Sequence, residues 1–406
     1  MRMSRVNKQF EGIAIMMKKN FLRLIVSFVG AALIVGCAHG KEQETPTTGA
    51  TYAAAPFAVT VNDSNNLTIW PNGAPQIVDS IESDPQGLKV IPLPGNKVAF
   101  LMSQSWSYGP DDVGRLRIVN ESGEGASMSV EAGCNSIAPR GDEIALLCVQ
   151  EIPGGYKAHL KMLDEKMQVV KIIDLQIPAT RISRQIKYAE PPMLVAAGPD
   201  AFWIGYPSEM AFARGGGRVI VKFSMTGKPL ASAQVDGIIN KFAIAPDGLS
   251  LAAEGYSSAG ACSPKSVVHV IDLVSMKQRW NSVAIPGELR ESTEISGSRS
   301  FGLKSLFWVD DNLLQIDGYT YPDSADNCDE SVRRYWRREL NPKELRAKDE
   351  QIERNDYEEV SWMGPECDAV FRNVGENKIA IVRNGVETMT SENRVALELR
   401  RPKECS

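Results

Sequence analysis

Cysteine and histidine are the side chains best suited to nucleophilic or metal chemistry, yet this chain does not space them for either. The 406 residues include seven cysteines and three histidines. There is no Cys-x-x-Cys pair, and no two of His39, His159 and His269 have metal-ligand spacing. No Ser-His-Asp or Cys-His set is visible, although a set assembled only in the fold stays open. We therefore expect no metal or other cofactor and assign no catalytic residue.

Cys37 ends an apolar run that has the parts of an export signal. Positive charge precedes the run, supplied by Lys18, Lys19 and Arg23. The uncharged stretch 24–36 is about 13 residues long, shorter than the roughly 20 that span a bilayer. Residues 34–37, Ile-Val-Gly-Cys, resemble the lipobox of bacterial lipoproteins, although Leu and Ala or Ser are more typical before the Gly. The resemblance implies cleavage before Cys37 and its acylation. The alternative is a membrane-entry run with an incidental cysteine.

The other six cysteines are Cys134, Cys148, Cys262, Cys328, Cys367 and Cys405. An even number in an exported chain predicts three disulfides, because the compartment outside the cytosol is oxidising. Six buried free thiols are the alternative.

Charge excludes one class of partner. The whole chain carries a net charge of −5, and residues 1–36 hold six basic residues and one acidic residue, so the remainder is at −10. A nucleic-acid-binding surface needs a basic face. We therefore exclude nucleic acid.

The body of the chain repeats one pattern of short apolar runs and turns. The clearest copy, 242–280, contains four alternating strands separated by Pro246-Asp247-Gly248 and further turns. Five other copies begin near residues 90, 136, 193, 305 and 369. Because one such unit cannot bury both of its faces, neighbouring units must stack.

The motif "AIAPDG…LAA…VHVIDL" resembles the repeat of bacterial WD-repeat-like and TolB-like β-propellers. The resemblance implies an all-β propeller of six four-stranded blades, or seven if residues 57–82 form a reduced blade. The N-terminal strands would complete the last blade and close the ring. A pair of β-sandwiches is the rival fold.

Three segments follow from these patterns. Residues 1–36 are an upstream extension and a cleaved signal peptide, 37–55 are the lipidated cysteine and a flexible tether, and 56–406 are the propeller domain. Within the propeller arrangement, Cys134 and Cys148 can face each other across one hairpin. Cys262 and Cys328 would lie in equivalent loops of adjacent blades, and Cys367 and Cys405 would tie the start of the last blade to the chain end. The sequence alone leaves the connectivity open, since six cysteines allow 15 sets of pairs.

One segment departs from the repeat. Asn341 can cap a helix, Pro342 suits its first position and Glu344 fits its third. The sequence predicts a short inserted helix from Pro342 to about Arg354.

Aromatic residues recur where the second strand of a copy ends. Four copies have Gly-Tyr there, and the first has Trp106 and Tyr108; the four tyrosines are Tyr156, Tyr206, Tyr256 and Tyr319. Propeller geometry would place them on one face, together with connections that carry Arg181, Arg290 and Arg299. Tyr, Trp and Arg suit a binding face. Alternatively, the tyrosines pack between blades because the repeat requires it.

These features favour a membrane-anchored lipoprotein whose propeller binds a protein of the cell envelope without catalysis. The alternatives are a module that binds a glycan or an anionic cell-wall fragment, and a propeller hydrolase or lyase. Ala38 after the acylated cysteine favours the periplasmic side of the outer membrane if the host is Gram-negative.

Overall fold

The protein is described by a computed structural model, which places residues 49, 57–62, 66–71, 76–80, 88–102, 114–178, 182–183, 191–208, 217–260, 263–281, 301–320, 333–344, 346–353, 359–363, 369–375, 378–383 and 386–395. Within these ranges the regular elements are all β-strands. No helix in them is long and apolar enough to cross a membrane.

Five antiparallel sheets of four strands each follow one another along the chain. Sheet 1 contains β4 (Leu88–Leu93), β5 (Lys97–Met102), β6 (Gly114–Asn120) and β7 (Gly125–Val130). Sheet 2 contains β8 (Cys134–Arg140), β9 (Glu143–Ile152), β10 (Gly155–Leu163) and β11 (Val169–Asp174). Sheet 3 contains β12 (Met193–Ala197), β13 (Ala201–Pro207), β14 (Arg218–Ser224) and β15 (Pro229–Val235). Sheet 4 contains β16 (Ile238–Ile244), β17 (Ser250–Gly260), β18 (Ser263–Asp272) and β19 (Lys277–Asn281). Sheet 5 contains β20 (Phe301–Trp308), β21 (Leu314–Thr320), β22 (Arg334–Asn341) and β23 (Arg346–Ile352).

A sixth sheet joins strands from the two ends of the chain. Its seven strands are β24 (Glu359–Met363), β25 (Ala369–Gly375), β26 (Lys378–Arg383), β27 (Val386–Val395), β1 (Ala58–Asn62), β2 (Asn66–Trp70) and β3 (Gln76–Ser80). The junction is antiparallel, with Thr60 opposite Val395 and Asn62 opposite Asn393. The N-terminal strands therefore pair with the last repeat, which already has four strands of its own, β24 to β27.

Most of the sequence repeat maps directly onto these sheets. In sheets 1 to 5 the predicted starts near residues 90, 136, 193, 242 and 305 all fall in the first strand of a sheet, and three more strands follow in order. The last copy is shifted by one strand, because residues 369–383 form β25 and β26 while β24 precedes them. The all-β fold of repeated four-stranded antiparallel sheets is confirmed.

Apolar side chains pack each sheet against the next, and β13 shows why the strands are so apolar. Phe202, Ile204 and Tyr206 join a core shared with sheet 2. Ala201 and Trp203, which alternate with them, join a core shared with sheet 4. Since successive side chains point to opposite faces, a strand between two sheets must be apolar at every position.

Polar side chains lock neighbouring sheets together at the edges of this core. The indole Nε1 of Trp203 donates to the carbonyl of Leu273 in sheet 4 at 3.0 Å. Trp308 in sheet 5 donates likewise to Ala243 in sheet 4, also at 3.0 Å. Each bond satisfies a buried donor that would otherwise cost free energy.

The third and fourth strands of each complete sheet are joined by the same kind of turn. Its first residue is Asn, Asp or Ser, and the side-chain oxygen accepts bonds from amides two to four residues later; the residues are Asn120, Asp164, Ser224, Asp272 and Asn341. These side-chain bonds reinforce the backbone bonds of the same turns, such as those from the amide of Gly123 to the carbonyl of Asn120 at 3.0 Å and from Gly227 to Ser224 at 2.9 Å.

The prediction of an inserted helix from Pro342 to about Arg354 is wrong. Residues Arg346–Ile352 are β23, the outer strand of sheet 5, paired with β22 along its length. Asn341 does accept bonds from the amides of Lys343 and Glu344, at 3.0 and 3.1 Å, but these close the hairpin turn of the repeat. The segment is rich in charged residues because β23 is an outer strand, in which exposed side chains largely alternate with partly buried ones.

The strand ends form two edges. The turn edge carries the tight hairpins between first and second strands, at Gly141, Pro199 and Asp247. The loop edge lies at the opposite ends, where the β9–β10 hairpin and the connections between successive sheets lie. The chain segments between the strands are long at several points of the loop edge, notably 103–113, 175–192, 282–300 and 321–333.

Candidate functional site

Two of the predicted binding-face tyrosines lie inside the core near the loop edge. Tyr156 is 2% exposed and Tyr206 is fully buried. Their rings stack between sheets 2 and 3 with centroids 6.4 Å apart and planes at 16°. Phe223 packs on Tyr206 from the next strand at 6.1 Å. For this pair the structure agrees with packing between repeats, because a partner molecule could not reach the rings.

The position of Tyr156 in its hairpin also differs from the prediction. It is the second residue of β10, the third strand of sheet 2, and not the end of the second strand. The turn comes earlier, at Gly154, whose φ of 83° is accessible mainly to glycine. Gly205-Tyr206, Gly255-Tyr256 and Gly318-Tyr319 do lie in second strands.

The buried tyrosines position the long connection between sheets 2 and 3. The Tyr156 hydroxyl donates to the carbonyl of Ser183 at 3.2 Å. The amide of Ser183 donates to the carbonyl of Pro207 at 2.9 Å, beside the isolated bridge between Ile182 and Ser208. The middle of the connection is therefore pinned to the loop edge of sheet 3.

Arg218 holds the end of the same connection and was not predicted from the sequence. It is 4% exposed, and its guanidinium donates to the carbonyls of Pro191 at 3.2 Å and Gly205 at 3.4 Å. A buried guanidinium must find acceptors because its charge cannot be removed. The sequence feature that could have indicated this role is the position of Arg218 directly after the glycine run 215–217, at the start of a strand.

Tyr319 is the predicted aromatic residue that stays partly accessible. It lies half-buried at the end of β21. The guanidinium of Arg333 lies over its ring at 4.4 Å, and Tyr335 packs beside it at 6.1 Å. A Cβ at Gly302 would lie 2.3 Å from the Tyr319 ring, so this glycine lets the ring cover the first strand of sheet 5. The cation–π pair offers a polar and an aromatic surface at the loop edge.

Several predicted residues lie outside the described part of the chain. They are Cys37, Trp106, Tyr108, Arg181, Arg290 and Arg299, together with Cys262, Cys328, Cys367 and Cys405. The backbone of Tyr256 pairs with Ile238 and Ser266, but its side chain is not described.

The predicted disulfide between Cys134 and Cys148 is confirmed. The two residues lie opposite each other on β8 and β9, and their sulfurs are bonded. Gly133, just before Cys134, has a φ of 83°, and a Cβ there would lie 2.0 Å from the carbonyl oxygen of Val149. The bond belongs to the core between sheets 1 and 2.

The two histidines of the body lie in strands of different sheets, as predicted. His269 on β18 is buried, and burial lowers the pKa of its ring despite the contact of Nε2 with the carbonyl oxygen of Asp236 at 2.8 Å. The pKa of His159 on β10 is also lowered, first by burial and then by Lys161. Both rings therefore favour the neutral form at neutral pH.

Paired charges in sheet 5 have structural roles. Asp317 is fully buried and accepts two bonds from Arg337, at 3.1 and 2.9 Å. Arg338 donates both of its bonds to Asp349, at 2.6 and 2.7 Å. These pairs lie directly across neighbouring strands and bind β21 to β22 and β22 to β23. Among the residues described, no three His, Cys, Asp or Glu side chains meet as metal ligands.

Comparison with known proteins leaves the function open. No protein-family description matches the chain. No curated protein matches it by sequence. Among solved structures it is similar to the dihydro-heme d1 dehydrogenase NirN in complex with DHE, with 14% identity and a TM-score of 0.40, over 88% of this chain and 77% of that one. It is also similar to the β-propeller domain of Cps50 (Swd1) from Myceliophteria thermophila, with 10% identity and a TM-score of 0.36, over 85% and 89% of the two chains. Both TM-scores are below 0.5, and neither similarity indicates what this chain binds.

Proposed function

We propose that this protein is an exported lipoprotein, acylated at Cys37, whose β-propeller binds another protein of the cell envelope without catalysis. The observation that carries the binding role is the asymmetry between the two edges. The hairpins of the turn edge are short and closed by their own side chains, whereas the loop edge carries the long connections. Since loops on a rigid scaffold are where binding residues concentrate, the loop edge is the contact surface.

The contact surface includes the half-buried Tyr319–Arg333 pair and the connections that carry Arg181, Arg290 and Arg299. The buried Tyr156 holds the connection between sheets 2 and 3 through its bond to Ser183, and its ring stacks on Tyr206. Aromatic and arginine side chains dominate binding energy in protein interfaces, and their surroundings mainly exclude water. This chemistry favours a protein partner.

A glycan or anionic cell-wall fragment is the second candidate ligand. The aromatic ring of Tyr319 could stack on a sugar, and Arg333 could pair with an acidic group. The net charge of −10 after residue 36 opposes an anionic polymer, since like charges repel it before contact. We therefore rank it below a protein partner, and a hydrolase or lyase ranks below both.

We also propose that the sheets close into a ring of seven blades. Sheets 1 to 5 supply five blades, β24–β27 supply the sixth, and β1–β3 supply the seventh together with the end of β27. In support, β1–β3 pack on sheet 1 through Phe57, Leu67 and Phe100, and β1 pairs with β27. Closure would cover the apolar faces that an open stack of sheets leaves exposed at its two ends.

The binding role is tested by photo-cross-linking in cells from one edge at a time. A photoreactive residue replaces Tyr319 or Glu151 at the loop edge, and Glu124 at the turn edge serves as the matched control. We expect a discrete protein adduct from the loop edge, none from Glu124, and loss of the adduct when Cys37→Ser removes the anchor. Adducts of equal yield from both edges, or none from a folded and lipidated protein, would contradict the proposal.

A further inference from the structure

One residue of the tether is placed against the body of the protein. Gly49 precedes the first strand by several residues and lies half-buried between the turns of two neighbouring sheets. Its carbonyl oxygen is 2.9 Å from where a Cβ of Gly198 would lie, on the β12–β13 turn. On its other side it meets the β16–β17 turn at Asp247 and Gly248.

The fit at Gly49 excludes any side chain. A Cβ there would lie 2.7 Å from the carbonyl oxygen of Asp247 and 2.8 Å from two backbone atoms of Gly248. Backbone atoms cannot swing aside as the end of a flexible side chain can. Only glycine is therefore compatible with this position.

The two turns that hold Gly49 are themselves fixed. Arg140 of sheet 2 donates to the carbonyls of Gly198 at 3.1 Å and Pro199 at 2.9 Å. The Asp247 carboxylate accepts a bond from the amide of Leu249 at 2.8 Å, which closes the second turn. Both turns are therefore held by hydrogen bonds in which Gly49 takes no part.

We propose that the chain docks at Gly49 and that this contact orients the anchored protein. The tether would leave from the turn edge, hold that edge toward the membrane and present the loop edge away from it to its partner. This inference rests on the proposed lipid anchor at Cys37. It shortens the free tether from the expected 38–55 to 38–48.

The length of the free tether makes the orientation effective. Twelve residues from Cys37 to Gly49 have a root-mean-square reach of roughly 20 Å as a flexible chain. The turn edge and the loop edge lie roughly 20–25 Å apart, the length of a strand of about seven residues. A tether that leaves from the turn edge therefore holds that edge nearer the membrane on average, because the loop edge lies farther away by that distance.

The docking is tested without a membrane, on a chain that begins at Ala38. Gly49→Val should make the turns 196–202 and 244–250 exchange backbone hydrogens several-fold faster, because the backbone of residue 49 can no longer pack against them. Gly40→Val, the same change nearer the anchor, should leave both turns at the wild-type rate. Equal exchange in wild type and Gly49→Val, with unchanged unfolding temperature, would overturn the docking.

The orientation is tested on the lipidated protein bound to vesicles of phosphatidylethanolamine and phosphatidylglycerol with an acceptor dye on the headgroups. A donor dye is placed at Thr226, in the β14–β15 turn on the turn edge, or at Gln234, near the loop-edge end of β15; both are exposed and lie roughly 20 Å apart. Energy transfer should be several-fold greater from Thr226, and Gly49→Val should reduce the difference. Equal or reversed energy transfer in wild type would overturn the orientation.

A chain that does not float with the vesicles would instead contradict the lipid anchor. The hydrogen-exchange measurement, which needs no membrane, would still decide whether the chain docks at Gly49.

Discussion

At the scale of single residues, the structure distinguishes Tyr206, which is buried in the core, from Tyr319, which stays partly accessible; both are among the predicted aromatic residues whose side chains it describes. Tyr206 is fully buried and stacked, whereas Tyr319 is half-buried beneath Arg333. Tyr206→Ala should lower the free energy of unfolding by about 3–5 kcal/mol, since it leaves a large cavity. Tyr319→Ala should cost less than half of that and reduce partner cross-linking from Glu151 several-fold. Urea unfolding measures the first effect, and equal losses of stability in the two variants would contradict this division.

His269 should make stability depend on pH. Burial lowers the pKa of its ring in the folded state relative to the unfolded value of 6.5. Between the two pKa values the ring is therefore protonated in the unfolded chain and neutral in the folded chain. Stability is therefore retained above the unfolded pKa and lost as the pH falls from it toward the folded pKa. The slope for one proton is at most about 1.4 kcal/mol per pH unit.

The contribution of His269 is measured by urea unfolding at pH 7.5 and pH 5.0 in wild type and His269→Gln. The variant should lose less stability between the two pH values than wild type. His159, whose pKa is also lowered, serves as the comparison through His159→Gln, which should have a smaller effect because its ring is less buried. If His269→Gln loses as much unfolding free energy between pH 7.5 and pH 5.0 as wild type, then the pKa of the His269 ring is the same in the folded and unfolded states.

At the scale of elements, the outer strand of sheet 5 is held by a buried ion pair. The side chains of Arg338 and Asp349 are only 6% and 9% exposed. Arg338→Met should cost about 3–5 kcal/mol because it leaves the Asp349 carboxylate buried without its partner. Arg346→Met is the matched control: the Arg346–Glu344 pair spans 3.5 Å but is 84% and 57% exposed, and should contribute less than about 0.5 kcal/mol. Similar unfolding free energies for the two variants would contradict the strand pairing.

The same element shows what sequence could predict and where it failed. The Asn341-Pro342 pattern matches a helix start, but the four preceding sheets place Asn, Asp or Ser at the same point of the repeat. Aligning position 341 with Asp272 would have indicated a hairpin. Local capping rules failed here because the repeat, and not the local segment, determines which backbone the residues adopt.

At the scale of the whole molecule, repetition made the fold predictable and left the site unpredictable. The nearly continuous apolar runs in segments such as 201–207 and 267–273 follow from burial between sheets, so strands and turns could be predicted from residue types alone. The depth of Tyr206 and the role of Arg218 depend on which sheet packs above them, which no single segment records. The packing of Gly49 between two turns could not be predicted either, because nothing in the sequence around it distinguishes this glycine from the other small residues of the tether.

Removing the pairing between β1 and β27, which joins the two ends of the chain, should lower the thermal stability. A chain that ends at Ser391 lacks the three residues of β27 that pair with β1. Its unfolding temperature should fall by about 1–3 °C, the shift expected for 1–2 kcal/mol in a domain of this size. A chain that ends at Pro402 is the control, because it also lacks Cys405 but keeps the pairing. Equal unfolding temperatures would contradict closure through β27.

Both the proposed function and the orientation rest on the anchor at Cys37, so the mass of the mature N-terminus is the most direct test. The intact protein is purified from membranes of its host, and its N-terminal peptide is analysed by mass spectrometry. We predict a peptide that begins at Cys37 and carries acyl chains, and a Cys37→Ser protein that is released from the membrane fraction. A mature protein that begins elsewhere, or one whose Cys37 is unmodified, would contradict the account.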